Sequence, residues 1–151
     1  EAVDLVELVE NVVAAHSLPA RAKLMHTELT LQARRCLAEP ALLISVMDNL
    51  YSNAVHYGAE SGNIRIHSYR HGEQVRIDVA NSGEPIPAAE KNMIFEPFYQ
   101  GSHQRKGAVK GSGLGLSIAR DCVRQMQGEL SLVDAPAGQV CFRITLPSAP
   151  E

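Results

Sequence analysis

Asn49, Asn53 and His56 are spaced i, i+4, i+7, so any helix that holds them puts them on one face, with Tyr57 at its edge. Asparagine is a mediocre helix former, and two of them stacked one turn apart need a reason. One reason is bland: a solvated stripe, or amides that satisfy nearby backbone. The other is chemical: amide oxygens are donors to a hard cation, which takes amide, carboxylate and phosphate oxygens. The helix alone leaves both readings open. A second group, GSGLGL at residues 111–116, runs straight into a helical period. Free N–H groups and the positive end of the helix dipole make an anion site there, and glycine lets backbone approach a phosphate closely. Alone, such a cluster also reads as a hinge. It is neither a Walker A loop, since Gly-Lys-Ser/Thr occurs nowhere, nor G-x-G-x-x-G fed by a strand.

These groups must be held by regular elements. Residues 41–57 form the first: Leu43, Val46, Met47, Leu50 and Ala54 recur at helical steps beside the asparagine face. Pro40 stands where a missing N–H costs nothing, and Gly58 suits a left-handed stop. Upstream, residues 3–15 carry Leu5, Leu8, Val9, Val12 and Val13 at helical spacing, with Pro19 interrupting. His16 lacks an acidic neighbour to polarise it and precedes that break, so it reads as a surface histidine and not a phosphorylatable one. Residues 27–32 alternate as a strand, with 35–37 a short partner. Residues 63–69 and 75–81 alternate again, and Gly72 turns between them. In the second, Val75, Ile77, Val79 and Asn81 share a face, which puts Asn81 on an otherwise apolar surface at the strand's end.

A short helix is expected over 88–94, then Phe95-Glu96-Pro97-Phe98 as an apolar clamp. Residues 99–110 show no period and carry His103, Arg105, Lys106 and Lys110, a basic loop of the length usual for lids. The helix after the glycine cluster buries Leu116, Ala119, Val123 and Met126 and ends at Gly128. Two strands close the chain, the last with Val140, Phe142, Ile144 and Leu146 on one face. Hairpin-joined strands with intervening helices predict an α+β fold: a two-layer sandwich with one mixed, mostly antiparallel sheet and helices on one face. The opposite face, with Arg65, His67 and Arg143, should meet water.

Composition narrows the function. The chain has 151 residues, 45% apolar and 21% charged, which suits one domain with a real core. A net charge of −3 gives no general pull toward nucleic acid or an anionic membrane. No apolar run approaches the roughly 20 residues that span a bilayer, and no signal peptide is visible. The chain opens on Glu1 and not on Met, so a piece of a longer protein is expected, whose remainder could carry an anchor. Three cysteines, Cys36, Cys122 and Cys141, show no metal spacing, so a reducing compartment without a structural metal is expected, with Cys122 in the core.

Taken together and in order, NLYSNAVHY (49–57), NSGEPIP (81–87), FEPF (95–98) and GSGLGL (111–116) resemble the N box, first glycine box, F box and second glycine box of the ATP-binding catalytic domain of sensor histidine kinases. That domain lies within the wider family of gyrase, heat-shock chaperone and mismatch-repair ATPases. The resemblance covers residues 3–147 and implies the Bergerat sandwich, with ATP and Mg²⁺ as cofactors. It implies that Asn53 holds Mg²⁺, that Asn49 contacts phosphate or a metal-bound water, and that His56 takes the place of a basic residue reaching the phosphates. A histidine does that fully only when protonated. Tyr57 would line the adenine, Asn81 read its amino group, and Gly83 let backbone pass beside the base. Gly111, Gly113, Gly115 and Leu116 would cradle phosphates, with Arg105 or Lys110 adding charge; Ile86, Phe98 and Leu114 complete the nucleotide-binding set.

Two departures and one diagnostic position stand out. Most relatives carry Asp where this chain has Asn81. An Asn oxygen still accepts from an amine, but neutral hydrogen bonds are worth about 0.5–1.5 kcal/mol net against about 1.5–3 for charged ones, so weaker nucleotide binding is expected. Pro85 replaces the box's second glycine and stiffens that turn. Hydrolytic relatives place a Glu general base four residues before the metal-binding Asn; here that residue is Asn49, a poor base. The resemblance therefore implies transfer of the γ-phosphoryl to a histidine on dimerisation helices outside the chain, and onward to a response regulator's receiver domain. It also implies a cytoplasmic setting and a monomeric fragment. Two alternatives stay open: a degenerate nucleotide-sensing or docking module, and a serine kinase acting on an anti-sigma antagonist.

Overall fold

Alternation of apolar and polar residues writes the sheet, and two helical stripes cover it. In the computed structural model, which describes residues 1–91, 93–97 and 115–149, the elements in order are β1 (Ala2–Asp4), α1 (Leu5–Ala15), α2 (Ser17–Ala22), β2 (His26–Leu31), β3 (Arg35–Leu37), α3 (Pro40–Tyr57), β4 (Asn63–His71) and β5 (Gln74–Ser82). A 3₁₀ turn (Ala88–Glu90), α4 (Gly115–Gln125), β6 (Glu129–Val133) and β7 (Gln139–Pro147) follow. The five-stranded sheet has the order β2-β4-β5-β7-β6. Among the described residues only β2 and β4 run parallel; the other pairs are antiparallel. This is the mixed, mostly antiparallel sheet that the alternation predicts.

Register builds the core in rows. Ile64, Asn81 and Val140 align across β4, β5 and β7; then Ile66, Val79 and Phe142; then Ser68, Ile77 and Ile144. All nine are buried. The Ser68 hydroxyl donates to the Ala33 carbonyl at 2.6 Å, which satisfies a polar group in an apolar layer. Helix α3 packs on β5 and between α1 and α4, burying Leu43, Val46, Met47, Leu50, Tyr51, Ala54 and Val55. The opposite face is polar: Arg65 is exposed, and Arg143 forms a two-pronged pair with Asp78 at 2.9 and 3.2 Å. Among the described residues no helix is long and apolar enough to cross a membrane.

Several sequence expectations change in detail. Val3 belongs to β1, not to the first helix, which begins at Leu5 after Asp4 caps the amides of Val6 and Glu7. Pro19 does not interrupt that helix; it sits in the first turn of α2, where proline is tolerated. Strand β3 pairs with β1 and not with β2, forming a separate two-stranded sheet. The predicted helix over 88–94 shrinks to the 3₁₀ turn. Gly58 is not left-handed: its φ of −70° and ψ of 159° are extended. Glycine is needed there for space, because a Cβ would run into the Met25 methyl and the Ala54 carbonyl. At the end of α4 it is Gln127 that turns left-handed, with φ 65°, while a Cβ on Gly128 would strike the Thr145 carbonyl.

All three cysteines are buried, Cys122 within α4 as expected. Burial pushes the Cys36 and Cys141 thiols up to about 11. An unfolded thiol titrates near about 8.5. Between these values the unfolded chain loses protons that the native chain keeps, so stability falls as pH rises, by up to about 1.4 kcal/mol per pH unit per thiol. Urea unfolding at pH 8 and pH 10 tests this. The Cys36→Ala/Cys141→Ala variant should lose about 4 kcal/mol less than the parent over that interval, about 2 for each thiol; an equal loss would mean the thiols do not contribute.

Candidate functional site

Helix α3 supplies the floor. Pro40 opens it, and the Glu39 side chain accepts from the Ala41 amide at 3.3 Å. With the apolar stripe buried, Asn49, Asn53, His56 and Tyr57 fall along its half-buried flank. The His56 and Tyr57 rings meet edge to face, centroids 4.6 Å apart.

The end of β5 meets the end of this helix. Asn81 is 6% exposed, in the row with Ile64 and Val140. Its Nδ2 donates to the Ser82 carbonyl at 3.0 Å, which fixes the donor end of the amide and leaves Oδ1 as the end that accepts. Gly83 follows with φ 157°. A Cβ there would lie 3.2 Å from Asn81 Nδ2, 3.2 Å from the Tyr57 carbonyl and 3.6 Å from Gly58 Cα. The turn after α3 is tied to β5 by the Ala59 amide on the Ser82 carbonyl, 2.9 Å, and by the Asn63 amide on Ser82 Oγ, 2.8 Å. Ile86 is half-buried against the core.

The start of α4 meets the middle of α3. A Cβ on Gly115 would stand 3.5 Å from Asn49 Oδ1, so the last glycine of the cluster abuts the first amide of the asparagine face. Leu116 packs against the core behind it. Phe95 is buried edge-on to Phe142, centroids 6.1 Å apart, with the Arg120 guanidinium carbon of α4 4.2 Å above its ring. The structure thus sets Gly115 against Asn49, and Gly83 with Asn81 against Tyr57, whose ring meets His56; Asn53 lies between them on the same half-buried flank of α3, and Leu116 packs against the core. Phe98, Arg105, Lys110, Gly111, Gly113 and Leu114 lie outside the described residues.

Two side chains escape the sequence reading. His16 does have an acidic partner: its Nε2 lies 2.7 Å from Asp48 Oδ1 on α3, and the imidazole is only 22% exposed. The partner is 32 residues away, beyond any local pattern. Lys23 places its ammonium against the carbonyls of Val55, His56 and Gly58, at 2.9, 3.0 and 2.7 Å. A lone lysine between a helix and a strand carries no signal of such a contact.

The comparisons with known proteins agree with this geometry. A family model described as histidine kinase-, DNA gyrase B- and HSP90-like ATPase matches residues 38–150. The chain is 72% identical over 149 residues to the sensor histidine kinase GlrK of Escherichia coli K12, covering 99% of this chain and 31% of that protein. It therefore spans about a third of the length of the curated relatives it matches. The nucleotide-free catalytic domain of the histidine kinase ThkA superposes with a TM-score of 0.83 at 28% identity, covering 100% of this chain and 98% of that one. ThkA in complex with the response regulator protein TrrA gives 0.81 at 27% identity, covering 99% and 42%. The chain belongs to the family of histidine kinase-, DNA gyrase B- and HSP90-like ATPases, and within it to the catalytic domains of the sensor histidine kinases.

Proposed function

We propose that residues 1–151 form a single catalytic domain that binds ATP with Mg²⁺ and presents the γ-phosphoryl to a histidine on dimerisation helices elsewhere in a longer kinase. The observation that carries this is the meeting of two glycine-bearing approaches with one helix: Gly115 at Asn49, and Gly83, beside Asn81, at Tyr57. The base enters between Tyr57, Asn81 and Gly83, and Ile86 and Leu116 supply apolar cover. Asn81 Oδ1 accepts from the adenine amine. The amide oxygens of Asn49 and Asn53 fit a hard cation bound alongside phosphate oxygens. Asn53 is the metal-holding residue and Asn49 the phosphate or water contact. Mg²⁺ supplies charge neutralisation to the triphosphate when bound.

Catalysis by this chain is positioning and electrostatics. His56 adds positive charge near the phosphates when protonated. Gly111, Gly113, Leu114, Gly115, Arg105, Lys110 and Phe98 complete the phosphate and lid contacts in this reading. Asn49 in place of a general base favours transfer over hydrolysis. ThkA is seen with a response regulator protein, which supports a receiver domain as the downstream partner here too. We place the domain in the cytoplasm, monomeric when isolated, in contact with neither nucleic acid nor membrane.

Calorimetric titration with ADP and a non-hydrolysable ATP analogue, with and without Mg²⁺, tests the reading. Asn81→Asp is the informative variant. A carboxylate cannot donate to the Ser82 carbonyl, so the nucleotide-free variant should melt lower. A charged acceptor for the adenine amine should tighten ADP by about fivefold, a gain of about 1 kcal/mol. Weaker binding by Asn81→Asp would remove the direct Asn81–adenine contact. No binding by the parent chain at millimolar nucleotide would remove the function itself.

A further inference from the structure

We propose that Lys23 is a positioning residue of the nucleotide site, holding the end of α3 in the conformation that receives the base; this rests on the nucleotide-binding reading above. A helix leaves its last four carbonyls without intrahelical partners. Many helices satisfy them by turning left-handed at a glycine, but Gly58 is extended, so that route is closed. Its amide still serves Ala54, at 2.9 Å. The carbonyls of Val55 and His56, and that of Gly58 just beyond, are met by one ammonium at 2.9, 3.0 and 2.7 Å. An ammonium has three N–H donors, and its charge suits the negative end of a helix dipole. The remaining carbonyl of that last turn, on Tyr57, stands at Gly83.

Lys23 also acts through its backbone. Its carbonyl accepts from the Ser61 amide at 2.8 Å, so one residue grips the 58–61 turn from two sides. The same turn is bonded to Ser82 through Ala59. The ammonium is thus the fixed point from which Tyr57 and Gly58 are set against Asn81 and Gly83. Its position before β2 explains how a residue remote in sequence reaches the site: the His26 amide bonds the Gly62 carbonyl at 3.0 Å, so β2 starts beside that turn.

Lys23→Met keeps the apolar stem and removes the donors; Lys23→Arg keeps the charge but replaces a three-way donor by a planar fork. Leu146→Ala serves as a control: it is a core change in the row with Val75, at the opposite end of β5 from Asn81. Titration with AMP, ADP and the ATP analogue is done at a temperature where circular dichroism shows every variant folded. Lys23→Met should weaken all three nucleotides by about tenfold, about 1.4 kcal/mol, because the defect lies at the base. Lys23→Arg should fall between parent and Lys23→Met. Leu146→Ala should lower the melting temperature and leave affinity alone. Parent-like affinity in folded Lys23→Met would overturn the proposal and make Lys23 a stabilising cap only. Failure of the parent chain itself to bind would instead overturn the nucleotide-binding reading.

Discussion

Asn53→Ala should reduce autophosphorylation of the full-length kinase by about 10²-fold or more, the scale seen when a single preorganised electrostatic partner is removed from a phosphate or oxyanion site. The reason lies in where Asn53 sits. It is half-buried on the flank of α3, one turn after Asn49, and Asn49 in turn faces Gly115. Removing its amide takes away the oxygen one helical turn from the amide that abuts Gly115. The helix itself should not suffer: alanine is a better helix former than asparagine by about 0.6 kcal/mol, and the buried stripe is untouched. A melting temperature equal to or above the parent's, together with lost phosphohistidine labelling, is the expected pair of results. Intact labelling would show that Asn53 does not hold the metal.

The residues that repay this test were legible in the sequence because they are local. Four amide- and ring-bearing residues on one helix face need only the 3.6-residue period to be placed together, and Asn81 needs only the two-residue period to be put on the core face. The structure keeps both placements: Asn81 is buried in register with Val140, and the stripe of α3 is buried from Leu43 to Val55. What stayed hidden is what depends on partners far along the chain. Strand β1 is three residues long, too short for alternation to show, and it takes β3 from the strand that adjacency would assign to it. The histidine–aspartate pair of His16 and Asp48 joins the end of α1 to the outer face of α3. Gly58 and Gly128 look like helix stops in sequence, and they are kept for space instead, one under Met25 and the other against β7. Glycine's identity alone cannot separate those two uses, since both demand a missing Cβ.

Gly83→Val is the second large effect, and it probes the other end of the ligand. A Cβ at this position would enter at 3.2 Å from both Asn81 Nδ2 and the Tyr57 carbonyl, tighter than ordinary contact on two sides, and a branched side chain would fill the gap between them. Gly83 lies just past the end of β5, outside the sheet rows that make the core. The fold should therefore survive with a cost of about 1–2 kcal/mol for strain at a rare backbone conformation, while nucleotide affinity drops by more than about 100-fold, over 2.7 kcal/mol. Gly72→Ala calibrates the strain: its φ is 65° and a Cβ there meets nothing, so it should lower the melting temperature and leave affinity unchanged. The two ends of the site then separate by ligand. AMP carries the base and only one phosphate, so its binding should be lost in Gly83→Val and nearly preserved in Asn53→Ala. ATP with Mg²⁺ should be weakened in both. If Gly83→Val bound AMP as the parent does, the base would not pass between Asn81 and Tyr57. If Asn53→Ala lost AMP as fully as ATP, its amide would be serving the base or the fold and not the metal-bound phosphates.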